Sequence, residues 1–370
     1  MLTDAALTLP VPFLDLRSSH DDLKHDLLAD FGALIDSNAF TNGPAVAAFE
    51  SAFAAYCGRG ACVGVGSGLD ALRLALIAAG LEPGDEVLVP ANTFIATFEA
   101  VTQAGGTPVP VDISETDLNM DVEAAGAAVE ARTRFVMPVH LYGQLADMNG
   151  LTRLGLPIIE DACQAHGATR DGVAAGELGL AAAYSFYPGK NLGAFGDAGA
   201  LVADDEDLVT RVRALREHGQ RAKYDHELIG FTARLDTIQA IVLSHKLPLL
   251  DGWNAQRRAA AALYSEALAG LGDLELPPVA PGSDPVWHLY VIRTADPQAL
   301  ALHLRDRQIG SGFHYPEPAH LSKAYRSLGH RAGSFPVAEE AAGRVLSLPM
   351  FPGITETQIE AVVEGVRSYF

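Results

Sequence analysis

Cys62-Val-Gly-Val-Gly-Ser-Gly-Leu-Asp-Ala-Leu-Arg-Leu-Ala-Leu-Ile-Ala-Ala79 decides the fold. Cys62–Val65 is a short apolar run of the size of a buried strand, and from Asp70 to Ala79 the apolar residues recur at a helical period. Gly66-Ser-Gly68 joins the two without a spacer, so a strand turns directly into a helix. The same alternation repeats outward from this unit. Further strands are predicted at Glu86–Val89, Pro108–Val111, Phe135–Pro138, Pro157–Ile159, Ala182–Phe186 and Ala200–Ala203. Helical patterns lie between several of them, at Ile95–Gln103, Val122–Arg132 and Asp147–Leu154. Strand–helix alternation implies an α/β fold with a mostly parallel seven-stranded sheet covered on both faces. Ligands in such sheets bind at the carboxyl ends of the strands, so the residues that follow each strand are the candidates for chemistry.

Beyond the sheet, a long helical stretch runs from Leu235 to Gly270, bent or broken near Pro248. The tail then changes character: Trp287–Arg293 reads as a strand, Pro297–Arg307 and Glu356–Tyr369 as helices. Two units are expected, an N-terminal segment with a large domain over 1–250 and a smaller C-terminal α/β domain over 251–370. The 370 residues are 49% hydrophobic, with a mean hydropathy of +0.14, which suits compact domains of this size. Net charge is −20. Such a charge repels polyphosphate backbones, so nucleic acid is not an expected partner, though a small anion held by local amides is compatible with it. Cys57, Cys62 and Cys163 have no metal-like spacing and read as thiols of a reducing compartment. Met1–Pro12 contains Asp4 and no basic residue, unlike a signal peptide, and no apolar run approaches membrane-spanning length. A cytoplasmic protein without membrane contact is expected.

Four segments after strands carry chemistry. Gly66, Ser67 and Gly68 open a helix, where free N–H groups and the helix dipole make an anion site; the bland alternative is a serine that only caps the helix. Phe94 in Ala91-Asn-Thr-Phe94 could stack on a flat heteroaromatic ring or pack into the core. Asp161 in Ile158-Ile-Glu-Asp161-Ala-Cys-Gln164 ends an apolar strand, where a carboxylate is costly unless it meets a cation or donor. It could pair with a protonated ring nitrogen or cap a helix, and Gln164 could reach a ring hydroxyl. Ser185-Phe-Tyr-Pro-Gly-Lys190-Asn-Leu-Gly-Ala-Phe-Gly196 sets a lysine five residues after a serine, in a glycine-rich turn. Together these residues supply a phosphate cradle (Gly66, Ser67, Gly68, Ser185), a carboxylate, a stacking face and an amine. Pyridoxal 5′-phosphate needs these groups. A nicotinamide enzyme would need a dinucleotide glycine fingerprint, which is absent.

Over nearly its full length the chain resembles the sugar aminotransferases of the DegT/DnrJ/EryC1/StrS family, within the fold-type-I pyridoxal-phosphate enzymes. The resemblance is carried by Val11-Pro-Phe-Leu-Asp-Leu16, Thr41-Asn-Gly-Pro44, Ser67-Gly-Leu-Asp-Ala-Leu72, Gly84-Asp-Glu-Val87, Pro138-Val-His-Leu-Tyr-Gly143, Glu160-Asp-Ala162, Ser185–Gly199, Arg234-Leu-Asp-Thr-Ile-Gln239, Phe313-His-Tyr-Pro316 and Leu348-Pro349. It implies Lys190 as the Schiff-base lysine, Asp161 at the pyridine nitrogen, Gln164 at the ring oxygen, and Ser67, Gly68 and Ser185 at the phosphate. It also implies a homodimer with the active sites at the subunit interface. In the family a partner asparagine commonly reaches the phosphate from a Gly-Tyr-Asn-x-Arg-Leu motif; here Gly230-Phe-Thr232-Ala-Arg234-Leu carries Thr232 instead. Relatives with histidine at the lysine position are dehydratases, a reading Lys190 opposes. Phe186–Gly193 with His314-Tyr315-Pro316 looks most like the subgroup that aminates C3 of dTDP-linked 3-keto-6-deoxyhexoses with L-glutamate. The alternatives are C4-specific or cyclitol aminotransferases, or a non-catalytic cofactor-binding protein. For the nucleotide sugar the candidates are His314, Tyr315, Arg221 and Lys223, then Tyr187, Asn191, His288 and Tyr290. Asn42 and Gly43 line the sugar pocket or form a turn. No metal is expected.

Overall fold

The computed structural model describes residues 10–370; Met1–Leu9, including the Asp4 of the N-terminal reading, lie outside the described residues. Seven strands form the central sheet: β1 (Ala61–Val65), β2 (Glu86–Pro90), β3 (Thr107–Val111), β4 (Thr133–Val136), β5 (Ile159–Asp161), β6 (Ala181–Ser185) and β7 (Gly199–Ala203). β3–β2–β4 and β5–β6–β7–β1 are each continuously paired, and parallel bridges Val136–Ile158 and Val139–Asp161 join the two sets. Only β7 runs antiparallel to its neighbours. The segment from β6 to β7 is the glycine-rich loop around Lys190 and carries no helix; a parallel return needs a crossover, usually helical.

The seven strands fall where the apolar runs place them, within two residues. Buried aliphatic side chains on both faces, such as Val63, Val87, Leu88, Val136, Ile159 and Leu201, account for the continuous apolar pattern. Three boundaries differ. The helix expected over Val122–Arg132 stops at Ala127, because the Thr133 hydroxyl accepts from the Glu130 N–H at 2.9 Å while the Thr133 N–H returns to the Glu130 carbonyl. This local turn competes with continued helix. The helix expected over Asp147–Leu154 is likewise short, at Met148–Thr152. The strand expected from Trp287 begins at Tyr290, since Trp287 takes a left-handed backbone, φ 47°. The break near Pro248 is a single 3-10 turn, Leu247–Leu249, between helices Thr237–Lys246 and Leu250–Leu268.

A separate apolar cluster packs helices Leu250–Leu268, Pro297–Asp306 and Glu356–Arg367 on the antiparallel pair β8 (Tyr290–Arg293) and β9 (Val345–Leu348). Val11 joins this cluster and bridges Ile309 in parallel, so the N-terminal segment is sewn to the C-terminal unit. No helix among the described residues is long and apolar enough to cross a membrane.

Candidate active site

A cavity of about 520 Å³ opens at the carboxyl ends of β1, β2, β5 and β6. Asp161 closes β5 and is 5% exposed. Its Oδ2 accepts from the Thr97 hydroxyl at 2.8 Å and its Oδ1 from the Cys163 N–H at 3.2 Å; Thr93 supports Thr97 at 2.8 Å. It caps no helix and, among the described residues, has no ion-pair partner within 4 Å. A buried carboxylate with two neutral donors is poised to meet a cation. Lys190 shares the cavity. Its N–H donates to the Tyr187 carbonyl at 2.8 Å, which tightens the loop. Burial pushes the Lys190 amine below the usual lysine range, against the opposing pull of Cys163 and Asp161.

Ser67, Gly68 and Ser185 form one wall. Ser67 caps helix Gly68–Ala78: its Oγ accepts from the Asp70 N–H at 3.0 Å and donates to Asp70 Oδ2 at 3.1 Å. Its carbonyl takes the Ala71 N–H, which leaves the Gly68 and Leu69 amides at the helix start without a partner among the described residues. A Cβ on Gly68 would lie 2.6 Å from Cys163 Sγ and 2.8 Å from Ser185 Cβ, so only glycine brings the helix start this close to Ser185. Gly66 stands behind this wall, donating to the Ala233 carbonyl at 3.0 Å.

Phe94 is 50% exposed and faces Tyr315, with ring centroids 5.5 Å apart; it lines the cavity rather than the core. The Gln164 amide is oriented by the Tyr142 N–H, which donates to Oε1 at 2.8 Å. Nε2 therefore remains as the donor, 3.2 Å from the Tyr315 hydroxyl. Tyr142 holds a left-handed backbone, φ 58°, and its hydroxyl donates to the His314 carbonyl. Beneath it lies a fully buried pair. His140 Nδ1 accepts from the Ala146 N–H at 3.2 Å, so Nε2–H donates to Glu160 at 2.8 Å. Glu160 also takes the N–H groups of Gly176 at 2.7 Å and Gly179 at 2.5 Å. His314, Tyr187 and His288 complete the cavity, and burial holds the His314 imidazole down to about 4.

Several expected residues lie elsewhere. Asn191 is not open to a substrate: its Nδ2 is spent on Asn254 Oδ1 and the Val286 carbonyl, both at 2.9 Å. Tyr290 is fully buried on β8, against Tyr264 and Trp287, with its hydroxyl on Ser265 at 2.9 Å. Arg221 and Lys223 lie on the hairpin Gln220–Ala222/Asp225–His226, do not line the cavity of Asp161, and border a second cavity of about 360 Å³ with Asn42. Arg221 pairs there with Glu227 at 3.4 Å. Asn42, φ 53°, and Gly43 form the turn into helix Pro44–Tyr56 rather than a wall of the main cavity. Thr232 is outside the main cavity too, its hydroxyl 3.2 Å from His218 Nε2. Conversely, Phe13, Leu14, Thr93, Thr97 and His166 were not foreseen. Phe13 stacks on His314 at 5.6 Å and 15°. Its position inside Val11–Leu16 is the one signal the sequence offers; Thr93 and Thr97 carry none beyond following β2.

His166 is fully buried, and neither ring nitrogen has a partner among the described residues. Burial, then Lys190, pushes it from 6.5 to about 3. Between those values the unfolded chain binds a proton that the folded chain does not, so stability falls on acidification. From pH 7.5 to 5.5 this one group is expected to cost about 1.4 kcal/mol. Denaturant unfolding of the cofactor-free chain at both pH values checks this. His166→Gln should flatten the difference by about that amount, and an unchanged pH dependence would refute it.

The donor set fits pyridoxal 5′-phosphate: glycine-permitted amides and Ser185 for a phosphate, Asp161 for a protonated ring nitrogen, Gln164 Nε2 for a ring oxygen, Phe94 for a ring face and Lys190 for an aldehyde. The sequence pattern of the DegT/DnrJ/EryC1/StrS aminotransferase family matches residues 21–367. The dTDP-3-amino-3,4,6-trideoxy-alpha-D-glucose transaminase of Streptomyces venezuelae is 47% identical, over 100% of this chain and 98% of that protein. The crystal structure of S. venezuelae DesV in complex with a ketimine intermediate superposes with TM-score 0.95 at 47% identity, over 98% of this chain and 99% of that one. The crystal structure of NtdA from Bacillus subtilis with bound cofactor PMP matches with TM-score 0.90 at 33% identity, over 96% of this chain and 84% of that one.

Proposed function

The chain belongs to the DegT/DnrJ/EryC1/StrS aminotransferase family, and from that premise we propose that it moves the amino group of L-glutamate to the 3-keto carbon of a dTDP-linked 3-keto-6-deoxyhexose, giving a dTDP-3-amino-3,6-dideoxyhexose. It is a sugar aminotransferase, and its cofactor is pyridoxal 5′-phosphate. The observation that carries the reading is Lys190 sharing one cavity with a buried Asp161 that lacks a cation. The S. venezuelae relative, named for a dTDP-linked 3-amino sugar, supports both the nucleotide-linked acceptor and amination at C3.

When bound, pyridoxal 5′-phosphate supplies an aldehyde that carries the amino group and a cationic ring that draws electrons from the reacting carbon. Asp161 keeps a ring nitrogen protonated, because an opposite charge in a dry site favours the charged form. Gln164 would donate Nε2–H to the ring oxygen, and the Gly68 and Leu69 amides with Ser185 would hold the phosphate. Lys190 would hold the cofactor's aldehyde, and when the amino donor is bound its Nζ would be the group that holds and moves the proton of the donor carbon. An amine held below its usual range by burial is the better base near neutral pH. His314 and Tyr315 face the sugar, with Tyr187 at the mouth.

The reading extends to a homodimer. The hairpin with Arg221 and the loop segment with Thr232 stand outside this chain's own cavity, and in a dimer they reach the second copy's site. Thr232 has a shorter reach than the usual asparagine. The reading places the protein in the cytoplasm, where the free thiols Cys57, Cys62 and Cys163 stay reduced, and puts the division into two domains near residue 250.

The test is absorbance of the purified protein, first with L-glutamate, then with dTDP-3-keto-6-deoxyglucose. Glutamate should shift the cofactor band, and the keto sugar should restore it with release of a 3-amino sugar identified by mass spectrometry. Restoration only by a 4-keto sugar or a keto-cyclitol would overturn the C3 assignment.

A further inference from the structure

Two backbone carbonyls determine the protonation of a cavity imidazole. The His166 carbonyl accepts from Asn254 Nδ2 at 2.8 Å, so Asn254 turns its Oδ1 toward Asn191. The Val286 carbonyl and Asn254 Oδ1 then both take Asn191 Nδ2, at 2.9 Å each. Asn191 Oδ1 is left as an acceptor and stands 3.3 Å from His288 Nδ1. An amide oxygen cannot donate, so Nδ1 carries the proton and Nε2 keeps its lone pair. Nε2 has no partner among the described residues and is not among the sealed polar atoms. His288 lines the cavity with Lys190, and Asn191 is the residue after Lys190. Arg257 pins the same backbone, donating to the carbonyls of Trp287 at 3.1 Å and Met350 at 3.0 Å.

We propose that Asn191 and His288 form a dyad that turns an imidazole lone pair into the cavity shared with Lys190, so that His288 Nε2, which is not hydrogen-bonded to Lys190 in the structure, accepts from the amine when it is free in turnover and orients it there. The inference rests on the aminotransferase reading of Lys190. It moves Asn191 from substrate contact to positioning residue. The groups that face His288 are Lys190 from the loop after β6, Arg257 from helix Leu250–Leu268, His166 from the loop after β5, and His314. Burial first, and then these groups, hold His288 well below the usual histidine range. Such an acceptor stays neutral at working pH. It orients the amine without taking its proton, so Lys190 remains the base.

Selective 15N-histidine labelling of the cofactor-free full chain tests the dyad, with the His288 signal assigned through His288→Phe. The expected signal is a neutral ring protonated at Nδ1. Lys190→Ala should move its titration upward by at least about half a pH unit, since a nearby cation is removed. In the loaded enzyme, His288→Phe should lower kcat roughly 10- to 100-fold, the size of one hydrogen bond to a charged group, with KM for L-glutamate within about threefold. His288→Gln offers an amide oxygen and should recover most of that loss. An Nε2–H tautomer, a titration indifferent to Lys190→Ala, or equal impairment of the Phe and Gln variants would overturn the dyad. Loss of fold in the Phe variant would show in its thermal unfolding, and the tautomer and Lys190→Ala results would then decide. A wild-type chain that forms no cofactor band would instead refute the role of Lys190, while the histidine spectrum would still report on Asn191 and His288.

Discussion

Lys190→Ala is expected to lose at least about 10⁴-fold in steady-state transamination, since the covalent hold and the general base go together. The fold should survive. Lys190 makes no side-chain hydrogen bond among the described residues, and removing a buried amine relieves a desolvation cost. The phosphate wall of Gly68, Leu69 and Ser185 and the Asp161 carboxylate remain, so the variant should still bind pyridoxal 5′-phosphate by noncovalent contacts. Three measurements check this: turnover by coupled assay, cofactor retention by equilibrium dialysis, and thermal unfolding. A variant that retains cofactor and transaminates within a hundredfold of wild type would refute Lys190 as the base. Failure to bind cofactor at all would mean that the phosphate wall contributes little without the covalent link.

Asp161→Asn is expected to lower kcat by about 10³-fold, because the charge that keeps the ring nitrogen protonated is worth one to three pKa units. The substitution is nearly isosteric. The amide oxygen can still accept from Thr97, which sits 2.8 Å from Oδ2. The amide nitrogen, however, would oppose the Cys163 N–H now 3.2 Å from Oδ1, a local cost of about 1–3 kcal/mol. Turnover should therefore fall far more than stability. Paired measurement of kcat and denaturant midpoint separates the two effects. A loss under tenfold in kcat would remove Asp161 from the electronic role and leave it as the anchor of the Thr93–Thr97 pair.

Much of this site was legible from local pattern. The seven strands could be placed because each is a short run buried on both faces, and the chain turns into helix or loop where the apolar run ends. Asp161 stood out as an acid closing such a run, and Lys190 as a cation after another. Their convergence follows from the sheet, since both segments leave the same edge of neighbouring strands.

The tertiary structure decided the rest. Asn191 and Lys190 are adjacent and equally polar in sequence. One is locked by Asn254 and Val286, 63 and 95 residues away, and the other is left to the cavity. Tyr290 is two residues from His288, a spacing that would share one face of an extended segment, yet packing on Tyr264 takes it into the core while Asn191 Oδ1 holds His288 at the cavity. Phe13 meets His314 because Val11 bridges Ile309 across the chain. What the sequence alone determined is the periodicity that makes the sheet and the chemical types at its carboxyl edge, because these depend on neighbours a few residues apart. Which polar side chains are satisfied internally and which remain for a ligand depends on partners scores of residues away, and hydrogen-bond satisfaction of buried groups is settled only when those partners are in place.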